Sequence, residues 1–271
     1  MAKSEMNGIN KTMYIPLYGK AYVSERGLFL NDKKAEEIWE AEKFPLKGKS
    51  KSKWLAYYMG IRSRVFDEWV KSELSERDDA LVLHIGCGMD SRVLRIADSH
   101  LWYDIDFPEV IKERKRYYSE SDNYKMLSCD VRETDWVNQL APKKKAIVVM
   151  EGVSMYITLN ELRTILEKIC SHFDEVSLLV DCYTELAAKM SKYKNPINDV
   201  GVTNVYGIDN PELIKIDSLS FVKEHDMTPK VYINELSGME KKLFCKLFAG
   251  NFSKKLYKMY EYKKDKTTEN S

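Results

Sequence analysis

The sequence predicts an α/β fold built on a mostly parallel β-sheet, and two observations carry that prediction. Short, nearly continuous apolar runs recur between residues 80 and 182, and such runs are typical of strands buried on both faces of a sheet. Segments of helical period separate the runs, and strands that alternate with helices imply right-handed βαβ units. The 271 residues, 44% hydrophobic and 31% charged, suit one large globular domain.

An N-terminal helical segment, residues 1–75, is predicted to precede the sheet as a cap. Its first helix covers about residues 32–44, with Asp32 as the N-cap. A longer amphipathic helix covers about residues 53–74, because its apolar positions recur at helical spacing. Residues 76–271 then form the core, so that cap and core make one compact domain.

Five strands follow in order, and each of the intervals between them contains a helical pattern. The predicted strands cover residues 80–85, 101–105, 124–129, 146–150 and 176–182. The predicted helices cover residues 91–97, 108–118, a stretch near Trp136, and 159–173.

The pattern changes after residue 183. Glycines and Asn-Pro pairs interrupt residues 184–218, which predicts an inserted lid or substrate loop. Residues 256–262 alternate between apolar and polar side chains, which predicts a half-exposed antiparallel edge strand at the C-terminus.

Composition excludes several classes of protein. There are 43 Lys and Arg residues against 42 Asp and Glu, so the overall balance suggests neither a nucleic-acid nor an anionic membrane partner. The five cysteines are an odd number without a CxxC pair, which is typical of free thiols in a reducing compartment. The four histidines lack metal-ligand spacing, and no run is long enough to span a bilayer. We therefore expect a soluble cytoplasmic protein without a metal; its oligomeric state stays open.

Distinctive residues follow four successive predicted strands. Gly86 and Gly88 follow the first, Asp106 the second, Asp130 the third and Glu151 the fourth. The carboxyl ends of parallel strands meet at one edge of a sheet, where α/β proteins bind ligands. The glycines allow a tight turn and close approach of a ligand. Asp106 lies 20 residues after Gly86, the usual distance to a carboxylate that binds a ribose diol.

The same loop favours S-adenosylmethionine (SAM) over a dinucleotide. Ser91 stands where the dinucleotide fingerprint has its third glycine, and the loop lacks the GK[ST] end of a P-loop. SAM has no phosphate, so it needs less of an anion-binding cradle. In this interpretation Asp130 suits the adenine amino group and Glu151 the ammonium of the methionine part. The fold is then a Rossmann-like, class I methyltransferase sheet.

Several motifs resemble the leucine carboxyl methyltransferase family, in particular its bacterial polyketide-biosynthesis O-methyltransferase branch. They are HIGCGMDS at 84–91, YDIDFP at 103–108, CDVR at 129–132 and MEGVSMYI at 150–157, with YIPLYGKA at 14–21, NDKKA at 31–35 and RSRVFD at 62–67 upstream. The resemblance covers about residues 12–183.

This resemblance implies SAM-dependent O-methylation of a carboxylate, with a polyketide-like small molecule as the acceptor. By position, Arg64 would hold the methionine carboxylate, because guanidinium binds carboxylate bidentately, and Arg62 is a rival for that role. Further roles carry over by position: Gly86 and Gly88 along the methionine and ribose, Asp106 at the ribose hydroxyls, Asp130 with the Val131 backbone at the adenine, Glu151 at the methionine end, and Lys20 as a basic residue near SAM.

A carboxylate nucleophile is ionised at neutral pH and needs no general base, so catalysis would rest on positioning and desolvation. Tyr156 and Tyr18 are the candidate catalytic residues because they lie in motif segments. Other candidates on the acceptor side are Tyr14, Tyr183, Tyr206 and Arg62.

The sequence leaves three alternatives open. In the first, residues 184–218 form a peptide groove and the acceptor is a protein C-terminus rather than a small molecule. In the second, the chain is a nicotinamide-dependent oxidoreductase on a similar sheet, and in the third it is a SAM-binding module without turnover.

Overall fold

A computed structural model describes residues 11–96, 99–194 and 205–265 of the chain. Its helices are α1 (Tyr14–Ser24), α2 (Lys33–Glu42), α3 (Lys53–Ser75), α4 (Arg92–Ile96), α5 (Pro108–Arg114), α6 (Leu159–His172), α7 (Glu185–Lys194), α8 (Lys230–Ile233) and α9 (Gly238–Phe248). Its strands are β1 (Leu81–Ile85), β2 (Leu101–Asp106), β3 (Tyr124–Ser128), β4 (Lys145–Met150), β5 (Glu175–Tyr183), β6 (Ser220–Glu224) and β7 (Tyr257–Lys264).

The seven strands form one sheet in the order β3-β2-β1-β4-β5-β7-β6. Strands β1 to β5 are parallel, whereas β7 is antiparallel to β5 and β6 is antiparallel to β7. The predicted α/β class and mostly parallel sheet are confirmed. Strand order reverses between β1 and β4, which opens a crevice at the carboxyl ends of these two strands.

Alternate side chains of each strand reach opposite faces of the sheet. On β1, Val82 packs with the N-terminal helices α1 to α3, and Leu81 and Leu83 pack with α6. Helix α6 begins with a capping box, in which Thr158 and Glu161 bond each other's backbone N–H. The cap segment therefore shares its hydrophobic core with one face of the sheet.

The prediction of an edge strand at residues 256–262 is wrong in one respect. Strand β7 is antiparallel, but it lies inside the sheet, and the edge is β6. Strand β7 is buried on both faces: Tyr257 and Met259 pack on the side of the N-terminal helices, and Tyr260 and Tyr262 on the side of α6. The hydroxyls of Tyr260 and Tyr262 donate to the carbonyls of Asp209 at 3.2 Å and Pro211 at 2.7 Å. Alternation of Tyr with Lys therefore marked a covered strand rather than a solvated one.

The segment predicted as a lid has two described parts. Helix α7 occupies its beginning, and residues 205–219 pack on the sheet face that carries α6, through Ile208, Ile214 and Leu219. The Asn195-Pro196 pair lies outside the described residues. Near Trp136 the chain forms a 3-10 helix, Thr134–Gln139, rather than an α-helix.

Candidate active site

The four strand-end positions surround one cavity of about 740 Å³, within the usual range of small-molecule sites. Gly86, Asp106, Asp130 and Glu151 all line it. Helices α1 and α3 close the cavity from the other side, because they pack on the sheet face beside the reversal of strand order. The structure thus brings these residues together at the carboxyl ends of the strands.

The turn after β1 needs glycine at Gly86. Its φ is 67°, a left-handed conformation, and an added Cβ would lie 2.2 Å from Cγ2 of Val153. Gly88 also has a positive φ, 51°, and an added Cβ would approach Cβ of Met13 at 3.2 Å. The loop backbone therefore comes close to the cavity with no side chain in the way.

Asp106, the last residue of β2, holds this loop in place. Its carboxylate accepts the backbone N–H of Gly88 at 2.7 Å and that of Phe107 at 2.8 Å. Burial raises the pKa of Asp106 to about 6, and these two hydrogen bonds only partly oppose the shift. Each carboxylate oxygen keeps lone-pair capacity for a hydroxyl donor in the cavity.

At the end of β3, Asp130 is paired with Arg132 rather than buried. The guanidinium of Arg132 donates to Asp130 at 2.5 to 3.0 Å, and the pKa of Asp130 is lowered mainly by this hydrogen bond. Val131 is buried beside it, and its carbonyl accepts the indole N–H of Trp136 at 3.1 Å. This wall offers a carboxylate and an apolar side chain.

The opposite end of the cavity carries both signs of charge. Glu151 accepts two N–H groups of Arg62 at 3.0 and 3.1 Å and a further bond from Arg92, and Lys20 lies 3.9 Å away. Burial raises the pKa of Glu151, but Lys20, Arg62 and Arg92 outweigh it and hold that pKa at about 2. Lys20 itself pairs with Asp90 at 2.6 Å. A zwitterionic ligand finds partners for both of its charges here.

Arg62, not Arg64, reaches the cavity, and this corrects the placement predicted for Arg64. Both lie on α3, but Arg62 is buried, whereas Arg64 is partly exposed and pairs with Glu235 outside the cavity. Arg62 also bonds Asp181 at 3.2 Å and the Tyr257 hydroxyl at 3.0 Å. Two further N–H groups of Arg62 are bonded to Glu151. At most one of the five N–H donors of Arg62 is therefore left for a ligand.

The tyrosines divide in a way that the motifs did not predict. Tyr156 and Tyr183 line the cavity as predicted, and so do Tyr58 and Tyr257, which sequence reasoning missed. The other three candidates do not line it: Tyr18 donates to the Lys51 carbonyl and packs on Trp39, Tyr14 stacks on Phe44, and Tyr206 is half exposed. Tyr18 is therefore not placed to contact a substrate in this cavity.

The sequence did not predict a buried network of hydrogen bonds and ion pairs behind the glycine loop. Arg114 donates to the Gly88 carbonyl at 3.0 Å and to Asp104, which accepts from His84 at 3.0 Å. Arg92 donates to the other nitrogen of His84 at 3.1 Å, so that nitrogen is an acceptor and the histidine is neutral. Burial lowers the pKa of His84, which agrees with that form. The signal in the sequence was a histidine and an aspartate inside two apolar strands.

The cysteines and the possible metal ligands of the described residues can be examined side by side. The five cysteines are free in the structure, and Cys87 in the glycine loop is buried. Across residues 11–96, 99–194 and 205–265, no group of three or more His, Cys, Asp or Glu side chains is placed to hold a metal ion. A search of the same residues for a helix long and apolar enough to cross a membrane finds none.

Comparison with known proteins identifies relatives over most of the chain. The sequence model of leucine carboxyl methyltransferase matches residues 15–170. The tetracenomycin polyketide synthesis O-methyltransferase TcmP of Streptomyces glaucescens is 30% identical over 185 residues, 67% of this chain and 68% of TcmP. The SAM-dependent methyltransferase dpfgK of Gibberella zeae is 24% identical over 77% of this chain and 78% of its own length.

Two solved structures share the fold at low sequence identity. A putative methyltransferase from Thermobifida fusca superposes with a TM-score of 0.55 at 12% identity, over 93% of this chain and 94% of its own. Magnesium protoporphyrin IX methyltransferase from Synechocystis, with bound SAH, superposes with a TM-score of 0.51 at 13% identity, over 91% and 97%. The predicted Rossmann-like methyltransferase sheet is confirmed.

Proposed function

The chain belongs to the leucine carboxyl methyltransferase family and is a SAM-dependent methyltransferase, and from this premise we propose that it methylates a carboxylate of an apolar, polyketide-like small molecule. The family membership removes the nicotinamide-dependent oxidoreductase and the module without turnover from consideration. A small-molecule acceptor is supported by the largely apolar lining of the cavity and by the likeness to a polyketide O-methyltransferase.

The residues around the cavity fit SAM, which supplies the methyl group when it is bound. Gly86 and Gly88 would line the methionine and ribose, Asp106 would accept the ribose hydroxyls, and Asp130 with the Val131 backbone would bind the adenine. Glu151 would face the ammonium. Lys20 would hold the methionine carboxylate together with the one remaining N–H of Arg62. Lys20 suits that role because it lines the cavity and its ammonium has three donors, with Asp90 at 2.6 Å and Glu151 at 3.9 Å.

One observation carries the choice of a carboxylate acceptor. Apart from the residues assigned to SAM, the described lining consists mainly of apolar side chains and of Tyr58, Tyr156, Tyr183 and Tyr257; the acids in the described lining are Asp90, Asp106, Asp130 and Glu151. His84 also lines the cavity, but both of its ring nitrogens are engaged. An alcohol or phenol would need a base to remove its proton, whereas a carboxylate is already ionised at neutral pH.

The tyrosines would orient this anion. Burial raises the pKa of Tyr156 well above its usual value, so its phenol stays protonated and can donate a hydrogen bond. A donor on one carboxylate oxygen would leave the other oxygen free to face the methyl group that SAM supplies when it is bound. The apolar lining removes water from the anion, which favours attack.

Mass spectrometry of reactions with isotopically labelled SAM tests this proposal. A panel should pair aromatic and aliphatic carboxylic acids with phenols of matched skeleton, and with peptides that have a free C-terminus. We expect label in alkali-labile methyl esters of the apolar acids. Label in phenol ethers would contradict carboxylate chemistry, and label only in peptides would indicate a protein C-terminus as the acceptor.

Replacing Asp106 with alanine should weaken SAM binding by about 1–3 kcal/mol, because ribose hydroxyls would lose a buried acceptor. Calorimetric titration with SAM measures this, and Asp122→Ala, at an exposed carboxylate that does not line the cavity, is the control. Equal affinities for the Asp106 variant and the control would contradict the assignment.

SAM binding should also depend on pH through Asp106. Its pKa in the ligand-free fold is about 6, above the unfolded value, so ionisation of Asp106 costs stability as pH rises through 6. Hydroxyl donors in the cavity favour the ionised form, so binding must release a proton below that pH. We expect affinity to fall as pH decreases from 7 to 5, by up to about tenfold per unit. The pKa of Asp181 is also about 6, so its titration could produce the same pH dependence of SAM affinity. The assignment to Asp106 therefore requires that Asp106→Asn abolish this pH dependence.

Tyr156→Phe should lower kcat/KM for the acceptor roughly fivefold to tenfold, the worth of about one hydrogen bond. Tyr18→Phe is the matched control, since its hydroxyl bonds the Lys51 carbonyl outside the cavity, and it should change kcat/KM little. Steady-state kinetics at saturating SAM compares the two variants. A larger loss in Tyr18→Phe would return Tyr18 to the acceptor site.

A further inference from the structure

Positive charge is concentrated in two segments of the chain, although the net charge of the whole is only +1. Nine lysines lie in residues 45–55 and 237–256, where Glu240 is the single acid, so these segments carry +8 and the rest of the chain −7. We call these lysines the basic surface: Lys47, Lys49, Lys51, Lys53, Lys241, Lys242, Lys246, Lys254 and Lys255.

The two lysine segments meet in space beside the cavity. Lys53 pairs with Glu240, in the first turn of α9, at 2.6 Å. Lys49 from one segment and Ser253 from the other both line the cavity. The basic surface therefore borders the cavity on the side where its lining residues reach solvent: Leu247 is 48% exposed and Met190 is 45% exposed.

Helix α9 adds exposed apolar side chains to this surface. Phe244 is buried, and Phe248 packs on Tyr58, so one face of the helix is covered. Met239, Leu243 and Leu247 are spaced by four residues and share a different flank, where they are 75%, 38% and 48% exposed. Phe252, just beyond the helix, is 59% exposed. The apolar flank runs toward the cavity, because Leu247 lines it.

We propose that the basic surface and the apolar flank of α9 bind the surface of an anionic lipid bilayer, with the cavity opening beside the lipid. Lysines next to protruding Met, Leu and Phe side chains are the composition of helices that lie in a membrane interface. Anionic headgroups attract each nearby lysine, and the apolar side chains enter the boundary between headgroups and acyl chains.

A bilayer fits this surface better than a protein or nucleic-acid partner. Protein interfaces are depleted in lysine, and their binding energy comes mainly from Trp, Tyr and Arg, none of which stands among these exposed residues. Nucleic acid would pair with the lysines through its phosphates but would leave the apolar flank in water. The overall charge balance argued against a membrane because it averages over segments of opposite charge.

The consequence of this binding for substrate supply rests on the proposed function. An apolar carboxylic acid partitions into a bilayer with its carboxylate at the surface, and the exposed cavity lining at Leu247 and Met190 would face it. Membrane binding itself requires neither SAM nor turnover, so it can be measured independently.

Co-sedimentation of the full chain with sucrose-loaded vesicles tests the proposal. One set is phosphatidylcholine alone, and the other contains about 30% phosphatidylglycerol, at about 0.1 M salt where the Debye length is about 10 Å. We expect binding to the anionic vesicles only, with loss at high salt. Absence of binding to anionic vesicles, or equal binding to both sets, would overturn the proposal.

Matched variants identify the surface. K242E/K246E should lower the partition coefficient at least about tenfold. K143E/K144E makes the same change in net charge on two exposed lysines just before β4, at the amino ends of the parallel strands and opposite the cavity, and should leave binding intact. M239S/L243S/F252S should weaken binding at unchanged charge. An equal loss in K143E/K144E would show attraction by net charge alone and reject the surface. If the protein methylates soluble acids but does not bind vesicles, the membrane proposal is wrong and the proposed function is unaffected.

Discussion

Arg62→Met is expected to destabilise the protein by about 3–5 kcal/mol and to abolish measurable SAM binding. The guanidinium of Arg62 bonds Asp181 at 3.2 Å and Glu151 at 3.0 and 3.1 Å. The substitution leaves both carboxylates buried without this shared partner. Removal of one partner from a buried ion pair costs far more than the pair itself contributes, because the remaining charge stays desolvated. Denaturant unfolding and calorimetric titration with SAM measure the two effects.

Arg64→Met is the matched control, since it makes the same change two residues along α3. Arg64 pairs with Glu235 where both side chains are about one-third exposed, so we expect a change of about 1 kcal/mol or less and unchanged SAM affinity. Arg62→Lys is the second variant, to be used if Arg62→Met fails to fold. It keeps the charge but cannot reach both carboxylates, so its affinity for SAM should be lower than that of the unmodified protein. Weaker SAM binding in the Arg64 variant than in the Arg62 variants would contradict the assignment.

Gly86→Ala is expected to cost roughly 2–6 kcal/mol, the sum of a strained left-handed residue and a steric clash. The new Cβ would lie 2.2 Å from Cγ2 of Val153, so either the loop or the segment after β4 must move. Both carry residues assigned to SAM, and its affinity should fall together with stability. Thermal unfolding with and without SAM reports both quantities.

Two comparisons separate strain from the clash. Gly27 has a similar φ, 63°, but nothing lies within 4 Å of an added Cβ, so Gly27→Ala should cost only about 1–2 kcal/mol. Adding Val153→Ala to Gly86→Ala removes the clashing methyl groups and should recover part of the lost SAM affinity. If the Gly86 and Gly27 variants cost the same, close packing against Val153 plays no role in this loop.

Residues at the ends of strands could be predicted from the sequence because their position depends on local order alone. Once the apolar runs of β1 to β4 are recognised, the chain itself places Gly86, Asp106, Asp130 and Glu151 after them, and parallel pairing brings these ends to one edge. The parallel strands and the choice of SAM followed from the same pattern, whereas the family was indicated by the resemblance of its motifs. The tyrosines did not, because nothing local distinguishes Tyr156, which lines the cavity, from Tyr18, which packs on Trp39.

The sequence by itself determined that this protein has a parallel sheet, a glycine turn and a series of carboxylates at the strand ends, since hydrophobic period and turn chemistry are short-range properties. Only the tertiary structure decided which side chains face the cavity. Arg62 and Arg64 lie about 200° apart around α3, and the amphipathic pattern allows either to face inward. The rotation of α3 against the sheet, and the pairing of β7 between β5 and β6, depend on contacts between residues distant in the chain. Packing therefore placed Arg62 and Tyr257 on Asp181, and Arg64 in solvent with Glu235.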